Sequence, residues 1–259
     1  MKESKKEGGD MSEPEMLVTP PELIKAKREP EIIEVPTRVV MALDGAGAPE
    51  SPEFSAAVSA LYGIAYTLRS ARKKAGKGVF KVGSLEGVWG AEPNSGSSAA
   101  GVGEAGLGPD AGDVGPSLSA GVLPPRHQWR WQLQMGVPPD TTPEELAAAV
   151  ATATTKRGGK LEDNEEARRI RLLKTAPAHF VRVLHIGPYA TESESFTKIE
   201  RFLTANGLKR EPWHIEVYIS DPNRTAPEKL KTILLAKVGG RRCTQSELQV
   251  FPNSTLGVI

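Results

Sequence analysis

The chain is short of cysteine, of net charge and of long apolar runs, and each shortage excludes a class of protein. Cys243 is the one cysteine among 259 residues, so an intrachain disulfide and a cysteine-based zinc site are both impossible. The 33 Lys and Arg residues nearly balance the 32 Asp and Glu residues, and the formal net charge of +1 argues against nucleic acid as the main partner. No stretch approaches the ~18 apolar residues of a membrane span, so no membrane partner is expected.

The expected compartment is the cytoplasm, because the composition fits a reducing environment. The first ten residues are charged and lack the apolar stretch of a secretory signal. Hydrophobic residues make up 39% of the chain, which is low for a fully packed domain of this length, and the 26 Gly and 21 Pro residues predict unstructured segments. The sequence gives no indication of the oligomeric state.

Composition divides the chain into a domain and three flanking or inserted segments. Residues 1–29 mix both charges with few apolar side chains, which predicts a disordered lead with a short helical turn near 21–24. Residues 91–125 are rich in Gly, Ala, Ser and Pro and contain no Lys or Arg, which predicts a flexible insertion between two strands. The predicted domain spans 30–238, and residues 239–259 form a C-terminal tail.

Within the domain, one pattern of strand, glycine turn, helix and two strands occurs twice. The first helix begins at Ser51, a favoured N-cap, followed by Pro52 at the first helical position. The last helix ends at Asn206-Gly207. The predicted strands cover 32–43, 79–89, 128–135, 180–186, 213–220 and 233–238, and the predicted helices cover 51–74, 142–155 and 191–206.

We therefore predict an α+β fold made of two βαββ halves, at about 30–160 and 165–238. The halves are expected to share one antiparallel sheet with helices on one face. The other face would be concave and partly open, forming a central groove for a small molecule.

The strand at 213–220 supplies the first candidates for chemistry. Its alternation places Trp213 and Ile215 on one face and Glu216 and Tyr218 on the other. If the apolar face packs on the helices, Glu216 and Tyr218 point into the groove. A carboxylate among aromatic rings can act as a general base or bind a cation. Taken alone, the alternation favours the simpler interpretation of a solvent-facing side of the strand.

Aromatic residues are only 5% of the chain, so their positions are informative. Trp129 and Trp131 share one face of a predicted strand, and Trp89 ends the preceding strand. Tyr62 and Tyr66 lie four residues apart on the first helix. This grouping favours an aromatic pocket for a flat, lipophilic ligand, although for each residue taken alone an ordinary core position is the favoured interpretation.

Metal, nucleotide and serine-nucleophile motifs are missing. The four histidines have no spacing typical of metal ligands, so no metal is expected. The Gly45-Ala46-Gly47 turn lacks the third glycine of a dinucleotide loop, and no GxSxG motif occurs. His185, just before Gly187, is expected to fix a turn or a buried hydrogen bond. No cofactor is therefore predicted.

An ordered set of short strings resembles the stand-alone GyrI-like small-molecule-binding proteins. The strings extend over about residues 25–238, outside the Gly-rich insertion, and as an ordered set they are specific. They are VVMALDGAG at 39–47, ALYGIAYTL at 60–68, LEGVW at 85–89, WRW at 129–131, HIGPY at 185–189, EVYISDP at 216–222 and TAPEKLKTIL at 225–234.

The resemblance implies a duplicated βαββ fold whose central aromatic groove contains an acidic residue, here Glu216. In drug-sensing regulators such a domain is fused to a helix-turn-helix and its acid meets lipophilic cations, but no helix-turn-helix is evident in this sequence. Some stand-alone members, which the chain resembles more, hydrolyse the cyclopropane of spirocyclopropyl-cyclohexadienone DNA alkylators of the duocarmycin type and so protect the host.

The sequence thus predicts a cofactor-free hydrolase for such cyclopropanes. Glu216 would activate water, and Tyr62 or Tyr218 would hydrogen-bond the dienone oxygen. The expected substrate-binding residues are Trp89, Trp129, Trp131, Tyr66, His185 and Tyr189. The alternative is a binding protein that sequesters lipophilic, often cationic, small molecules without chemistry.

Overall fold

The computed structural model describes residues 15–90, 129–155, 159 and 161–239. They form a mixed α+β domain whose ten strands lie in two sheets. The strands are β1 (Met16–Leu17), β2 (Glu31–Val35), β3 (Arg38–Ala46), β4 (Phe80–Lys81), β5 (Glu86–Trp89), β6 (Arg130–Gly136), β7 (Arg171–Thr175), β8 (Ala178–Ile186), β9 (Lys209–Tyr218) and β10 (Lys231–Gly239). The helices are α1 (Pro52–Lys74), α2 (Pro143–Thr155), α3 (Glu165–Arg168) and α4 (Glu192–Ala205).

The large sheet confirms the predicted duplication. Its strand order is β2-β8-β10-β9-β5-β6-β3-β7, and all neighbours are antiparallel. The two βαββ units are β3-α1-β5-β6 and β8-α4-β9-β10, and they join where β5 pairs with β9. Gly47 and Gly187 both follow the first strand of a unit at positive φ, 106° and 141°.

Each half of the sheet gains an edge strand from the segment that precedes the other half in sequence. β2 precedes the first unit but pairs with β8 of the second, whereas β7 precedes the second unit and pairs with β3 of the first. This exchange adds an edge strand to each side of the sheet. Strand β7 was not predicted, and β2 and β3 were predicted as one strand. Pro36 separates the two because proline cannot donate to a ladder.

Helices α1 and α4 cover one face of the large sheet. The Ser51 hydroxyl accepts a hydrogen bond from the Phe54 backbone at 3.2 Å, so the predicted N-cap is confirmed. α1 packs on β3 and β6, and α4 packs on β8, β9 and β10. The strip of this face over β5 and β9 therefore lies between the two helices.

The opposite face is covered by its own apolar cluster, which corrects the expected position of the groove. Ile215 and Val217 of β9 pack there with Leu23, which is fully buried, and not on α1 or α4. A groove on this free face is therefore ruled out over β9. The apolar side of β9 lies away from the helices, and its polar side faces them.

The chain segment before β2 is more ordered than predicted. From residue 15 onward it pairs β1 with β4, forms the predicted short helical turn at Pro21–Leu23, and buries Val18 and Leu23. The prediction of a disordered lead is thus wrong for residues 15–29, because two well-spaced apolar side chains suffice to anchor a segment that is charged on average. Residues 1–14, the insertion predicted at 91–125 and the tail after residue 239 lie outside the described residues.

A buried ion pair lies on the same face as Ile215. Arg38 donates to both carboxylate oxygens of Glu86, which is fully buried, and Gln134 donates to Glu86 at 2.8 Å. These contacts tie β3, β5 and β6 together. In the described part of the chain, no helix has the length and apolar character needed to cross a bilayer.

Candidate functional site

The polar side of β9 faces the cleft between α1 and α4. The ring of His214 lies edge-on to Phe196 of α4, with 4.7 Å between the ring centroids. Trp89, the cross-strand partner of His214, stacks on Phe54 of α1 at 5.8 Å. Both helices thus contact the same pair of strands, and the side chains of β5 and β9 form the floor of the cleft.

A glycine leaves room for the carboxylate at the centre of this floor. Gly87 of β5 is paired directly with Glu216 of β9, where the two halves of the sheet meet. A Cβ at position 87 would lie 2.9 Å from both Trp89 Nε1 and the Tyr218 hydroxyl oxygen. The absent side chain therefore lets Trp89 and Tyr218 converge beside Glu216.

Both oxygens of Glu216 are held by hydrogen bonds. Tyr218 donates its hydroxyl to Oε2 at 2.8 Å, and His214 Nε2 lies 3.0 Å from Oε1. Trp89 Nε1 in turn donates to the Tyr218 hydroxyl at 3.1 Å. The Glu216 side chain is 12% exposed, so it is oriented by the protein and still reachable from the cleft.

Tyr218 remains a phenol in this arrangement. Burial raises its pKa well above the ordinary value, and the charge of Glu216 raises it further. Tyr218 directs its one hydroxyl proton at Glu216 and so holds the carboxylate in position. Tyr218 was predicted to donate to the substrate, whereas its described partners are Glu216 and Trp89.

A second carboxyl group, Glu192, lies in the same cleft and was not predicted. It is the first residue of α4 and is only 8% exposed, and its Oε1 has no hydrogen-bond partner among the described residues. Burial, followed by the neighbouring charge of Glu216, raises the pKa of Glu192 to about 9, against an opposing hydrogen bond with Thr232. In sequence, an acid in the first turn of a helix is typical of a solvated partner for the helix dipole, so no signal distinguished it.

Tyr189 and Trp129 extend the aromatic lining. Tyr189 packs edge-on against Tyr218 at 6.0 Å and is 41% exposed, so it stands at the mouth of the cleft. Trp129 packs edge-on against Trp89 at 6.1 Å. Burial raises the pKa of Tyr189, and the charges of Glu192, Glu216 and Asp221 act in the same direction.

The tyrosines predicted on α1 lie farther from Glu216. Burial raises the pKa of Tyr62, whose hydroxyl hydrogen-bonds the Leu85 backbone and lies near Asp221. Tyr66 is 59% exposed on the helix surface. Because Asp221 affects both Tyr62 and Tyr189, the loop after β9 approaches the two sides of the cleft.

Two residues that were predicted to bind the ligand, Trp131 and His185, are buried and stabilise the fold instead. Trp131 is 2% exposed, packs beneath Phe54 at 5.2 Å and lies against Gly45, its cross-strand partner, so it belongs to the core. His185 is 4% exposed, and its Nδ1 lies 2.9 Å from the Ser195 hydroxyl. Its other ring nitrogen faces the Pro188 carbonyl at 3.2 Å, so His185 fixes the turn that precedes α4.

Glu200 of α4 accepts a hydrogen bond from Arg210 of β9 at 2.5 Å. An open depression of about 570 Å³ on the surface beside it is lined by residues of α4 alone, Ser193, Phe196, Thr197, Glu200, Arg201, Thr204 and Ala205. Glu216 and Tyr218 are not among its lining residues. Within the described ranges, no three His, Cys, Asp or Glu side chains converge as a metal site.

Comparison with known proteins agrees with the fold. Residues 137–238 match the model of the GyrI-like small molecule binding domain. A crystal structure of a hydrolase from Listeria innocua is similar to the chain, with 28% identity, a TM-score of 0.65, and coverage of 84% of this chain and 95% of that chain. A crystal structure of an uncharacterized conserved protein from Listeria innocua is similar at 29% identity and a TM-score of 0.64, covering 83% of this chain and 94% of that chain. No curated protein matches the chain. Residues 137–238 are thus similar to the GyrI-like small molecule binding domain, and the Listeria innocua structures share the fold of most of the chain.

Proposed function

We propose that the protein is a cofactor-free hydrolase that opens the cyclopropane of spirocyclopropyl-cyclohexadienones, the electrophilic group of duocarmycin-like DNA alkylators. The observation that carries this proposal is the reachable carboxylate of Glu216, held on both oxygens at the floor of an aromatic cleft. The Listeria innocua structure described as a hydrolase, similar over most of both chains, supports a hydrolytic reaction.

The aromatic lining of the cleft suits a flat substrate whose ring becomes aromatic in the reaction. Tyr189 and Trp129 offer ring faces and edges against which a planar dienone can stack, and the buried Trp89 supports Trp129. Glu216 accepts a proton from a water molecule as that water attacks the methylene carbon of the cyclopropane. Aromatisation of the ring drives the step. The protein therefore mainly has to position the water molecule and accept the proton that it releases.

Mass spectrometry tests the reaction class. The purified protein is incubated with a duocarmycin-type cyclopropane, next to a sample without protein. The proposal predicts a product heavier by one water molecule that forms faster with the protein. Intact compound after binding to saturation would contradict hydrolysis and favour the second candidate.

The second candidate is sequestration of lipophilic cations, and the carboxylates of the cleft favour it. Glu216 at the floor and Asp221 near Tyr62 and Tyr189 combine negative charge with aromatic rings, which attract organic cations. This candidate predicts that affinity follows ligand charge. A neutral ligand of the same shape as a cationic one should then bind at least tenfold more weakly, without product from either.

A further inference from the structure

We propose that Glu192 is a second catalytic residue, which carries a proton in the resting enzyme and donates it to the substrate oxygen. This inference rests on the proposed hydrolase function. It assigns the two carboxyl groups of the cleft opposite roles, with Glu216 accepting a proton and Glu192 supplying one.

The position of Glu192 follows from the register of the central strands. Thr232 of β10 is the cross-strand partner of Tyr218 and is two residues from Leu234, the partner of Glu216. The carboxyl group of Glu192 interacts with the Thr232 hydroxyl and with the charge of Glu216. It therefore lies over the same side of β9 and β10 as Glu216, and both acids face one space.

The groups around this space leave one of the two acids without a charge partner. Those facing it are His214, Glu216 and Tyr218 of β9, Thr232 of β10, Tyr189 before α4 and Asp221 after β9. In the described part of the chain, no Lys or Arg forms an ion pair with Glu192 or Glu216. Two buried carboxylates with no cation repel each other, so one of them retains its proton.

The hydrogen bonds decide which acid is protonated. Glu216 is stabilised as a carboxylate by the hydroxyl of Tyr218 and the ring of His214. Glu192 has one oxygen without a partner and is more deeply buried, so its neutral form is favoured. The unpartnered oxygen, which is buried, retains an unused capacity for a hydrogen bond, whereas the proton of Tyr218 is already directed at Glu216.

The complete step balances with substrate and one water molecule. Water forms a carbon–oxygen bond to the cyclopropane methylene and gives a proton to Glu216. The strained carbon–carbon bond breaks, and its electron pair aromatises the ring and places negative charge on the dienone oxygen. Glu192 donates its proton to that oxygen, which yields a phenol. A proton passing from Glu216 to Glu192 then restores the resting enzyme.

The test compares Glu192→Gln with Glu194→Gln in the full chain. Gln has the size of the protonated acid but cannot transfer a proton, and Glu194 is an exposed residue on the same helix. Two measurements are made on each protein. The first is the infrared absorption of a protonated carboxyl group near neutral pH, and the second is the rate of cyclopropane opening as a function of pH.

The proposal predicts that wild-type protein and Glu194→Gln show the protonated-carboxyl band and that Glu192→Gln lacks it. It also predicts that Glu192→Gln lowers kcat by about 10²–10⁴-fold with little change in KM, the range for loss of an acid–base group. The fall in wild-type rate at alkaline pH should disappear in this variant. A band that persists in Glu192→Gln, or an undiminished kcat, would overturn the donor role alone. Absence of turnover by the wild-type protein would overturn the hydrolase proposal, and the donor role with it.

Discussion

At the scale of single residues, two opposing influences act on Glu192, and their sizes can be compared. As the first residue of α4 it lies near the positive end of a helix dipole, which favours a carboxylate by about 0.3–1 kcal/mol. One pKa unit corresponds to about 1.4 kcal/mol, so the dipole lowers the pKa by less than one unit. Burial and the charge of Glu216 exceed this effect, since the pKa of Glu192 rises from 4.5 to about 9.

The raised pKa predicts a pH dependence of stability. Between about pH 4.5 and 9 the folded protein holds a proton on Glu192 that the unfolded chain has released. The free energy of unfolding contributed by this group is therefore complete below pH 4.5 and is lost as the pH rises towards 9. The free energy of unfolding should fall progressively across that window, measured by urea unfolding at a series of pH values.

Glu192→Gln removes this titration and should flatten the dependence, whereas Glu194→Gln, exposed on the same helix, should leave it as in the wild type. Parallel curves for wild type and Glu192→Gln would show that Glu192 is ionised in the folded protein.

Tyr218→Phe tests how Glu216 is held in the cleft. The substitution removes the 2.8 Å hydrogen bond to Oε2 and keeps the ring against Tyr189. A hydrogen bond to a charged group contributes about 1.5–3 kcal/mol, so we expect kcat/KM for cyclopropane opening to fall by about 10–100-fold. Steady-state kinetics measure this loss. A wild-type kcat/KM in the variant would mean that Tyr218 does not stabilise the carboxylate.

At the scale of elements, the short strand β5 shapes the site mainly through Gly87. A side chain there enters the space beside Trp89 Nε1 and the Tyr218 hydroxyl, both 2.9 Å from a Cβ. We expect Gly87→Val to reduce turnover and ligand affinity at least tenfold, because it separates the groups that hold Glu216. Steady-state kinetics and calorimetric titration measure these effects, and a thermal melt monitors the fold. Wild-type affinity and turnover in this variant would contradict the account of the cleft floor.

The segment before β2 acts as a cover for the face opposite the helices. Leu23 is fully buried there, whereas Leu17 of the same segment is 60% exposed. Leu23→Ala should lower the free energy of unfolding by about 2–5 kcal/mol, and Leu17→Ala should lower it by less than about 0.5 kcal/mol. Chemical denaturation measures both. Equal effects would show that the segment does not pack as described.

At the scale of the whole molecule, the strongly patterned parts of the chain were predictable. The cap at Ser51, the glycine at 187 and the amphipathic runs at 52–74 and 192–205 are local signals, and they were sufficient for both βαββ units. The alternation in β9 correctly placed Glu216 and Tyr218 on one side of that strand. These features depend on nearest neighbours along the chain.

The features that were not predicted depend on which surfaces of the folded chain pack against each other. Nothing in the alternation of β9 reveals that its polar side, with Glu216, faces the helices. The exchange of β2 and β7 is a pairing between distant segments. Glu192 has the sequence signature of a surface acid and becomes a buried one because Glu216 and Thr232 lie beneath it. A single sequence records neither burial nor the charge that a partner strand supplies.

Glu216→Gln tests the central claim most directly, with Glu228→Gln, an exposed glutamate after β9, as its matched control. Cyclopropane opening and ligand affinity are measured on the same preparations. We predict that Glu216→Gln lowers kcat by about 10²–10⁴-fold while Kd changes only a few-fold, and that the control equals the wild type. Wild-type turnover by Glu216→Gln would contradict the claim that this carboxylate activates water in the cleft.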